Sequence, residues 1–442
     1  MQLKCKLLPQ DDGRCGWYEM LPPPPPETPL RGEVKADWVV LGAGLAGLAA
    51  ARRLAELRPE ADIALVDARR VGFGAAGRNS GFMVDLPHDL NSHDYTGDRR
   101  QDLQQIRLNR GAIDYMRGIV RRHEIDCDWR EQGKLHGAVE AHGERALEAF
   151  AKGLSGLGEP YRVLDAEEMR AVTGTGFYRA GLHAPGCVLV QPAALARGLG
   201  ETLPENVRLY EETAVREIQV GKPHVLTTDG GRITAPRLIL ANNAYAAQFG
   251  ELGLKGRILP VYTYGSLTRQ LSPEALATLG GEESWGLIPA DPMGTTVRRL
   301  ACGRICIRNS FAYRPGVSAG AGRLKSALAA HRRSFERRFP MLAGVELEYT
   351  WGGALCLSRN GGVPFGELAP GVFSAVCQNG LGLTRGTIAG KLIAEHALGV
   401  ESELLDIMLN QPKPVANPPE PLLGIGVRAT LAWKEWQAGT ER

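Results

Sequence analysis

The sequence predicts an α/β chain (α+β overall), in which a Rossmann-like dinucleotide-binding domain is joined to a second domain with a mostly antiparallel sheet. Three observations carry this. Residues 37–67, DWVVLGAGLAGLAAARRLAELRPEADIALVD, read as strand, glycine turn, helix, strand and closing acid. Far downstream, APRLILA at 235–241 has the continuous hydrophobicity of a buried parallel strand. Residues 257–270, RILPVYTYGSLTRQ, alternate along their length and open a strand-rich region that continues through 285–290, 295–299 and 303–309.

The first unit has a mechanical reason at each step. Gly42 permits the tight turn, Gly44 lets backbone approach a pyrophosphate, and Gly47 lets helix and strand pack closely. The helix opening at Leu45 offers unpaired N–H groups and a positive dipole end to phosphates. Asp67, 20 residues after Gly47, ends the second strand where an acid can bind ribose hydroxyls. By itself this unit admits FAD or NAD.

Composition sets the outer bounds. At 442 residues and 44% hydrophobic content the chain can build a large core, and two domains are expected. A formal charge of +3, with acids and bases interspersed, implies neither nucleic-acid binding nor a membrane-directed field. The eight cysteines show no C-x-x-C and no zinc spacing, as expected of reduced thiols in a cytoplasmic protein. Of the nine histidines, His88 and His93 are the closest pair, and no metal site is expected. No apolar segment at the N-terminus resembles a signal peptide, and the longest uncharged run, 368–384, is too rich in Gly, Pro, Asn and Gln to span a membrane.

In chain order, residues 1–35 form a leader ahead of the fold, with a polyproline II spacer at Pro22–Pro26 and aromatic residues, Trp17 and Tyr18, worth burying across a surface. After Asp67, residues 68–82 are dense in small side chains and carry Arg69, Arg70 and Arg78, which suit close approach to a phosphate-bearing ligand. Residues 99–124 read as an amphipathic helix, and 127–139 as a hairpin around Gly133. Helices follow at 143–157 and after Asp165, the second with a glycine stop, and another begins at Pro192. Two alternating segments within 206–228 precede the turn at Asp229–Gly231. Residues 321–338 form a basic amphipathic helix stopped by Pro340, and 347–357 return to strand. GVFSAV at 371–376 is the last apolar strand, CQNGLGLTRG is a loop opening a helix, and the tail after Gly399 lies on the surface.

This order of motifs, with GFGAAGRNSGF, LILANNAYA, WGG and a late Gly-x-Gly loop, resembles the D-amino-acid-oxidase-like (DAO) family of FAD-dependent oxidoreductases over residues 36–400. The leader CGWYEMLPPPPP looks most like the gamma-glutamylputrescine oxidase branch. The resemblance implies an FAD-binding domain from discontinuous segments, 36–95, 160–252 and 348–400, a substrate domain from 96–159 and 253–347, and a tail at 401–442. It carries Gly42, Ala43, Gly44, Leu45, Ala46 and Gly47 onto the pyrophosphate loop, and Asp67, Ala68 and Arg69 onto the adenosine end. Ala75, Ala76, Gly77, Arg78, Asn79, Ser80 and Gly81 match the loop beside the flavin ring. Val215 matches a backbone contact to adenine, and Ala241 with Asn242 a turn lining the cofactor. Asn379, Gly380, Leu381, Gly382, Leu383 and Thr384 match a loop whose N–H groups stabilise charge on the reduced flavin. Cys356 stands about three residues from the thiol that some relatives link to flavin, so non-covalent FAD is expected.

The implied chemistry is oxidation of the C–N bond of an amine or amino acid: hydride to flavin N5, imine hydrolysis to an aldehyde or keto acid, and electrons to oxygen or another acceptor. For substrate contact the sequence offers Tyr262 and Tyr264 on one face of a strand, with Trp351 as a third aromatic. Arg308 and Arg314 are further candidates for a substrate carboxylate. A flavin monooxygenase would need a Gly-Asp pair before the last helix, where VCQNGLGLT stands instead, and an NAD-dependent dehydrogenase leaves the Gly380–Gly382 loop without a task. A FAD-bound protein without turnover stays open at this point.

Overall fold

The structure, a computed structural model, describes residues 1–10, 12–88, 92 and 95–442; His93 lies outside them. Its centre is a six-stranded sheet in the order Val207–Tyr210, Ile63–Val66, Trp38–Leu41, Arg237–Leu240, Val372–Ser374 and Gly366–Ala369. The first five strands run parallel and the last is antiparallel. The strands expected from their continuous apolar runs are buried at every position from Trp38 to Leu41 and from Ile63 to Val66. Helices Leu45–Leu57 and Thr387–Ala397 pack together on one face, where Gly390 fits directly on the backbone of Ala46.

The second sheet has eight strands, in the order Leu347–Leu357, Leu259–Thr268, Arg304–Tyr313, Thr296–Leu300, Trp285–Pro289, Lys134–Ala138, Ala180–Ala184 and Arg162–Leu164. All neighbours are antiparallel except Trp285–Pro289 with Lys134–Ala138. The mixed α/β class expected from the sequence is the observed one. Local punctuation behaves as its chemistry requires: Asp165 and Glu168 form a capping box at the helix Ala166–Thr173, which Gly174 ends in a left-handed turn.

Three segments depart from expectation. Residues 127–139 are no hairpin: Lys134–Ala138 pairs with distant strands, because Gly133 packs against the backbone of Ala184 and Pro185. Residues 1–35 do not lie ahead of the fold. Gln2–Lys4 and Gly32–Lys35 are the outer strands of a five-stranded sheet completed by Val215–Gln219, His224–Thr228 and Gly231–Ala235. The burial expected of the leader's aromatic residues does hold for Trp17, which is fully buried and meets Trp351 edge to face, 6.4 Å between ring centroids. The tail also departs from a surface role at its end, where buried Glu441 accepts the amide of Val139 and its carbonyl accepts from Thr295 and Arg338. Among the described residues no helix is long and apolar enough to cross a membrane.

Candidate active site

A cleft of about 1560 Å³ runs along the C-terminal ends of the parallel strands and is lined by Gly42–Ala46, Asp67–Arg70, Val215, Ala241–Asn243, Tyr262 and Cys356. Its two ends differ. At one, Gly42 holds φ +105° with Ala241 carbonyl oxygen 2.8 Å from where a Cβ would stand. Gly47 leaves no space for a side chain against the carbonyl of Gly42. Gly44 is different: a Cβ there would meet nothing nearer than Ala76 at 4.0 Å, so the open side of this turn belongs to the cleft. Gly44 caps the helix Leu45–Leu57 without a side-chain hydrogen bond, leaving first-turn N–H groups for whatever the cleft holds.

Asp67 is positioned by the chain itself. Its Oδ2 accepts from the amide of Ala43 at 2.7 Å and its Oδ1 from that of Arg69 at 2.9 Å. Burial nonetheless pushes its carboxyl up to about 6, against those two bonds. A partly buried carboxylate with remaining acceptor capacity at this point fits ribose hydroxyls. Asn242 adds a second vacancy, since its Oδ1 is buried on the cleft wall without a partner. These features fit a bound dinucleotide.

The neighbouring arginines are committed elsewhere. Arg69 pairs with Glu212 at 3.5 Å and covers the Phe73 ring, and Arg70 pairs with Glu211 at 3.3 Å. Arg78 donates to the carbonyls of Phe73, Asp12, Gly13 and Gly352. Its guanidinium therefore staples three segments together instead of reaching a phosphate. Asn79 is likewise inward-looking, donating to Ala75 and Ala76 while its Oδ1 accepts the amide of Gly81. Gly77 and Gly81 are packing positions outside both cavities, as is Asn379, which ties Ser358 to Gly361. Thr384 is buried with an unpartnered hydroxyl and also lines neither cavity.

At its other end the cleft adjoins an inner chamber of about 860 Å³. Ala75, Arg78, Asn79, Gly380 and Gly382 line both spaces. Ser80, Leu381 and Leu383 face the chamber, with Thr263, Tyr264, His88, Tyr95 and Arg308.

The two tyrosines share a strand face, their rings 6.4 Å apart. Tyr262 borders the cleft and Tyr264 the chamber. Neither hydroxyl is free for an amine: Tyr262 donates to Asp12 Oδ2 at 2.7 Å and Tyr264 to the carbonyl of Ala319 at 3.1 Å. What Tyr264 offers the chamber is ring surface. Trp351, expected as a third aromatic contact, stands outside both cavities and donates to the carbonyl of Arg78 at 3.0 Å. It supports the loop from behind.

Two chamber groups, and two behind them, carry chemistry that periodicity did not single out. Arg308 sits on the chamber wall; burial lowers its pKa, and among the described residues its guanidinium has no hydrogen-bond acceptor or counter-ion. His88 stacks on Tyr95, 4.6 Å between ring centroids. Burial, then Lys134 and Arg308, hold its pKa well below the usual histidine range, so the imidazole is neutral. Behind it, Lys134 and His136 are buried with unpartnered nitrogens, and burial lowers the pKa of both. Asp12 is the residue least visible in the sequence: nothing about a short polar stretch before Pro22 signals a buried carboxylate beside a cofactor cleft.

The open glycine turn, the acid at Asp67 and the inner chamber make up one site with two adjoining cavities. Residues 37–396 match the family described as FAD dependent oxidoreductase (DAO), and the chain belongs to it. It is an oxidoreductase that works with FAD on the C–N bonds of amines or amino acids. Gamma-glutamylputrescine oxidoreductase of Escherichia coli strain K12 is 30% identical over 391 residues, covering 87% of this chain and 88% of that protein. Probable oxidoreductase OrdL of Rhizobium meliloti is 29% identical, with 88% and 89% covered. The fold is similar to that of glycine oxidase from Geobacillus kaustophilus (TM-score 0.67, 22% identity, 84% of this chain and 96% of that one).

Proposed function

We propose that the inner chamber takes an amine that also carries a carboxylate, anchored by Arg308, with FAD held non-covalently in the adjoining cleft. The observation that carries this reading is the half-buried guanidinium of Arg308 on the chamber wall, which lies over the Phe311 ring and has no acceptor or counter-ion among the described residues. A desolvated cation of that kind is costly unless an anion completes it, and a carboxylate matches its fork of donors. The reading agrees with the substrate in the name gamma-glutamylputrescine oxidoreductase, a molecule with an amine at one end and an amino-acid carboxylate at the other.

Gly42–Ala46, Asp67 and Ala241–Asn242 would hold the adenine-pyrophosphate half of FAD, and Ala75, Gly380 and Gly382 would flank its ring, where both cavities meet. Bound there, FAD supplies the hydride acceptor for the carbon that carries the nitrogen. The chain's own residues prepare the donor. Arg308 fixes the carboxylate, and Tyr264, Ile288 and Leu381 wall the chamber against water. The field of Arg308 and Lys134 disfavours a bound ammonium, and His88, held neutral by the same field, adds no positive charge of its own. The amine is thus held in the uncharged form that can give up a hydride. Cys356 supports non-covalent binding: burial holds its thiol well above the usual range, the reverse of an activated thiolate.

Anaerobic flavin bleaching tests the assignment. Amines bearing a carboxylate should bleach the flavin faster at low concentration than their decarboxylated counterparts. Equal bleaching by both series would overturn it.

A further inference from the structure

The C-terminal helix Leu422–Gln437 has two unlike faces. One lies on the eight-stranded sheet, where Leu431 and Ala438 join the cluster of Val261, Met293 and Phe311. Glu435 accepts the amide of Phe311 at 3.0 Å and pairs with Arg442 at 2.8 Å. The other face is bare: Leu422 is 64% exposed, Ile425 60%, Trp433 54% and Trp436 77%. Ala429 is exposed among them. At 3.6 residues per turn these five positions fall within an arc of about 80°. They are a single apolar stripe, and they include the two most exposed tryptophans among the described residues.

The order of side chains along the stripe identifies its partner. Leu422 and Trp436 stand equally far from Ala429 on either side, and so do Ile425 and Trp433. The stripe is therefore self-complementary under a two-fold axis through Ala429. An antiparallel copy would set Trp436 against Leu422 and Trp433 against Ile425, with the small alanines at the crossing where helix axes come closest. No charge interrupts the stripe. Glu420, just ahead of it, is occupied by Tyr313 at 2.8 Å. The geometry points to a second copy of this chain as the occupant: the helix Leu422–Gln437 is an isologous dimer interface. Aromatic side chains bury roughly 150–250 Å² each, so a helix pair of this length covers only several hundred Å² per protomer, at the small end of specific interfaces. That size belongs to weak, reversible association, so micromolar concentrations are where the dimer is sought.

Sedimentation equilibrium of the FAD-loaded protein from about 1 to about 100 µM should show a monomer–dimer equilibrium. The double variant Trp433→Ser/Trp436→Ser should stay monomeric throughout, with unchanged FAD content and melting temperature. Register is tested in a Cys302→Ser background, since Cys302 is the exposed native thiol. There, Ala429→Cys should cross-link to itself on mild oxidation. Leu422→Cys should not, because its two copies would lie about 21 Å apart. A monomer at every concentration, a dimer untouched by the double variant, or self-linking of Leu422→Cys without Ala429→Cys would each overturn the proposal. So would a monomer that co-sediments through Trp433 and Trp436 with phosphatidylglycerol vesicles, which would assign the stripe to a lipid surface.

Discussion

The hydroxyl of Tyr262 donates to Oδ2 of Asp12 across 250 positions of sequence, and Oδ1 of the same carboxylate accepts the amide of Ala319 at 2.6 Å. Three distant segments thus meet at one buried carboxylate on the wall of the cofactor cleft. Asp12→Ala strands two buried donors, each at a cost of about 1–3 kcal/mol. Urea denaturation should show that loss together with a lower FAD content. Adding Tyr262→Phe to Asp12→Ala should cost less than Tyr262→Phe alone, because the hydroxyl has already lost its acceptor.

Arg308→Met should raise KM for a carboxylated amine by about 10–100-fold, the worth of a charge-assisted pair. Decarboxylated amines should be affected far less, and FAD content should not change. A uniform loss over both substrate series would assign Arg308 a structural part instead.

Asp67 sets a pH dependence with a definite sign. Its pKa in the folded protein is about 6, raised from 3.8 by burial. The carboxylate must be ionised to accept from a ribose, so FAD affinity is full above about pH 7 and falls as Asp67 protonates. Binding should be about tenfold weaker at pH 5 than at pH 7 by fluorescence titration. The FAD-free protein runs the other way. A group whose folded pKa is raised is stabilising in its protonated form, so its contribution increases as pH falls from about 6 towards 4. Asp67→Asn should weaken FAD binding and flatten both trends.

Heat precipitation should leave the flavin in the supernatant, for the wild-type chain and for Cys356→Ser alike. Flavin retained in the wild-type pellet but released by Cys356→Ser would show a covalent link through that thiol.

Tyr264→Phe should change kcat/KM by less than about threefold, since its hydroxyl is spent on the carbonyl of Ala319. Tyr264→Ala, which removes the ring from the wall, should cost far more while FAD content holds.

Short-range sequence pattern was enough for the dinucleotide turn and the class of fold. Gly42, Gly44, Gly47 and Asp67 lie within 26 residues of one another, and the packing of Gly47 on the Gly42 carbonyl and the bond from Ala43 to Asp67 close inside that stretch. Buried parallel strands announce themselves by continuous hydrophobicity, and helix ends by the capping side chain of Asp165 and the left-handed turn that Gly174 permits. Only the tertiary structure decided what the polar residues do. Arg78 and Arg308 look alike in sequence; one is consumed by four carbonyls, and the other lies over the Phe311 ring on a chamber wall with no acceptor among the described residues. Trp351 and Tyr264 face each other's strands, yet only Tyr264 reaches the chamber. Residues 1–35 carry no long periodic element, so their two edge strands and the carboxylate of Asp12 depend on partners hundreds of positions away. Local spacing dictates backbone form because its interactions close within a few residues. Burial, pairing and ionisation depend on which distant segments arrive, and folding alone settles that.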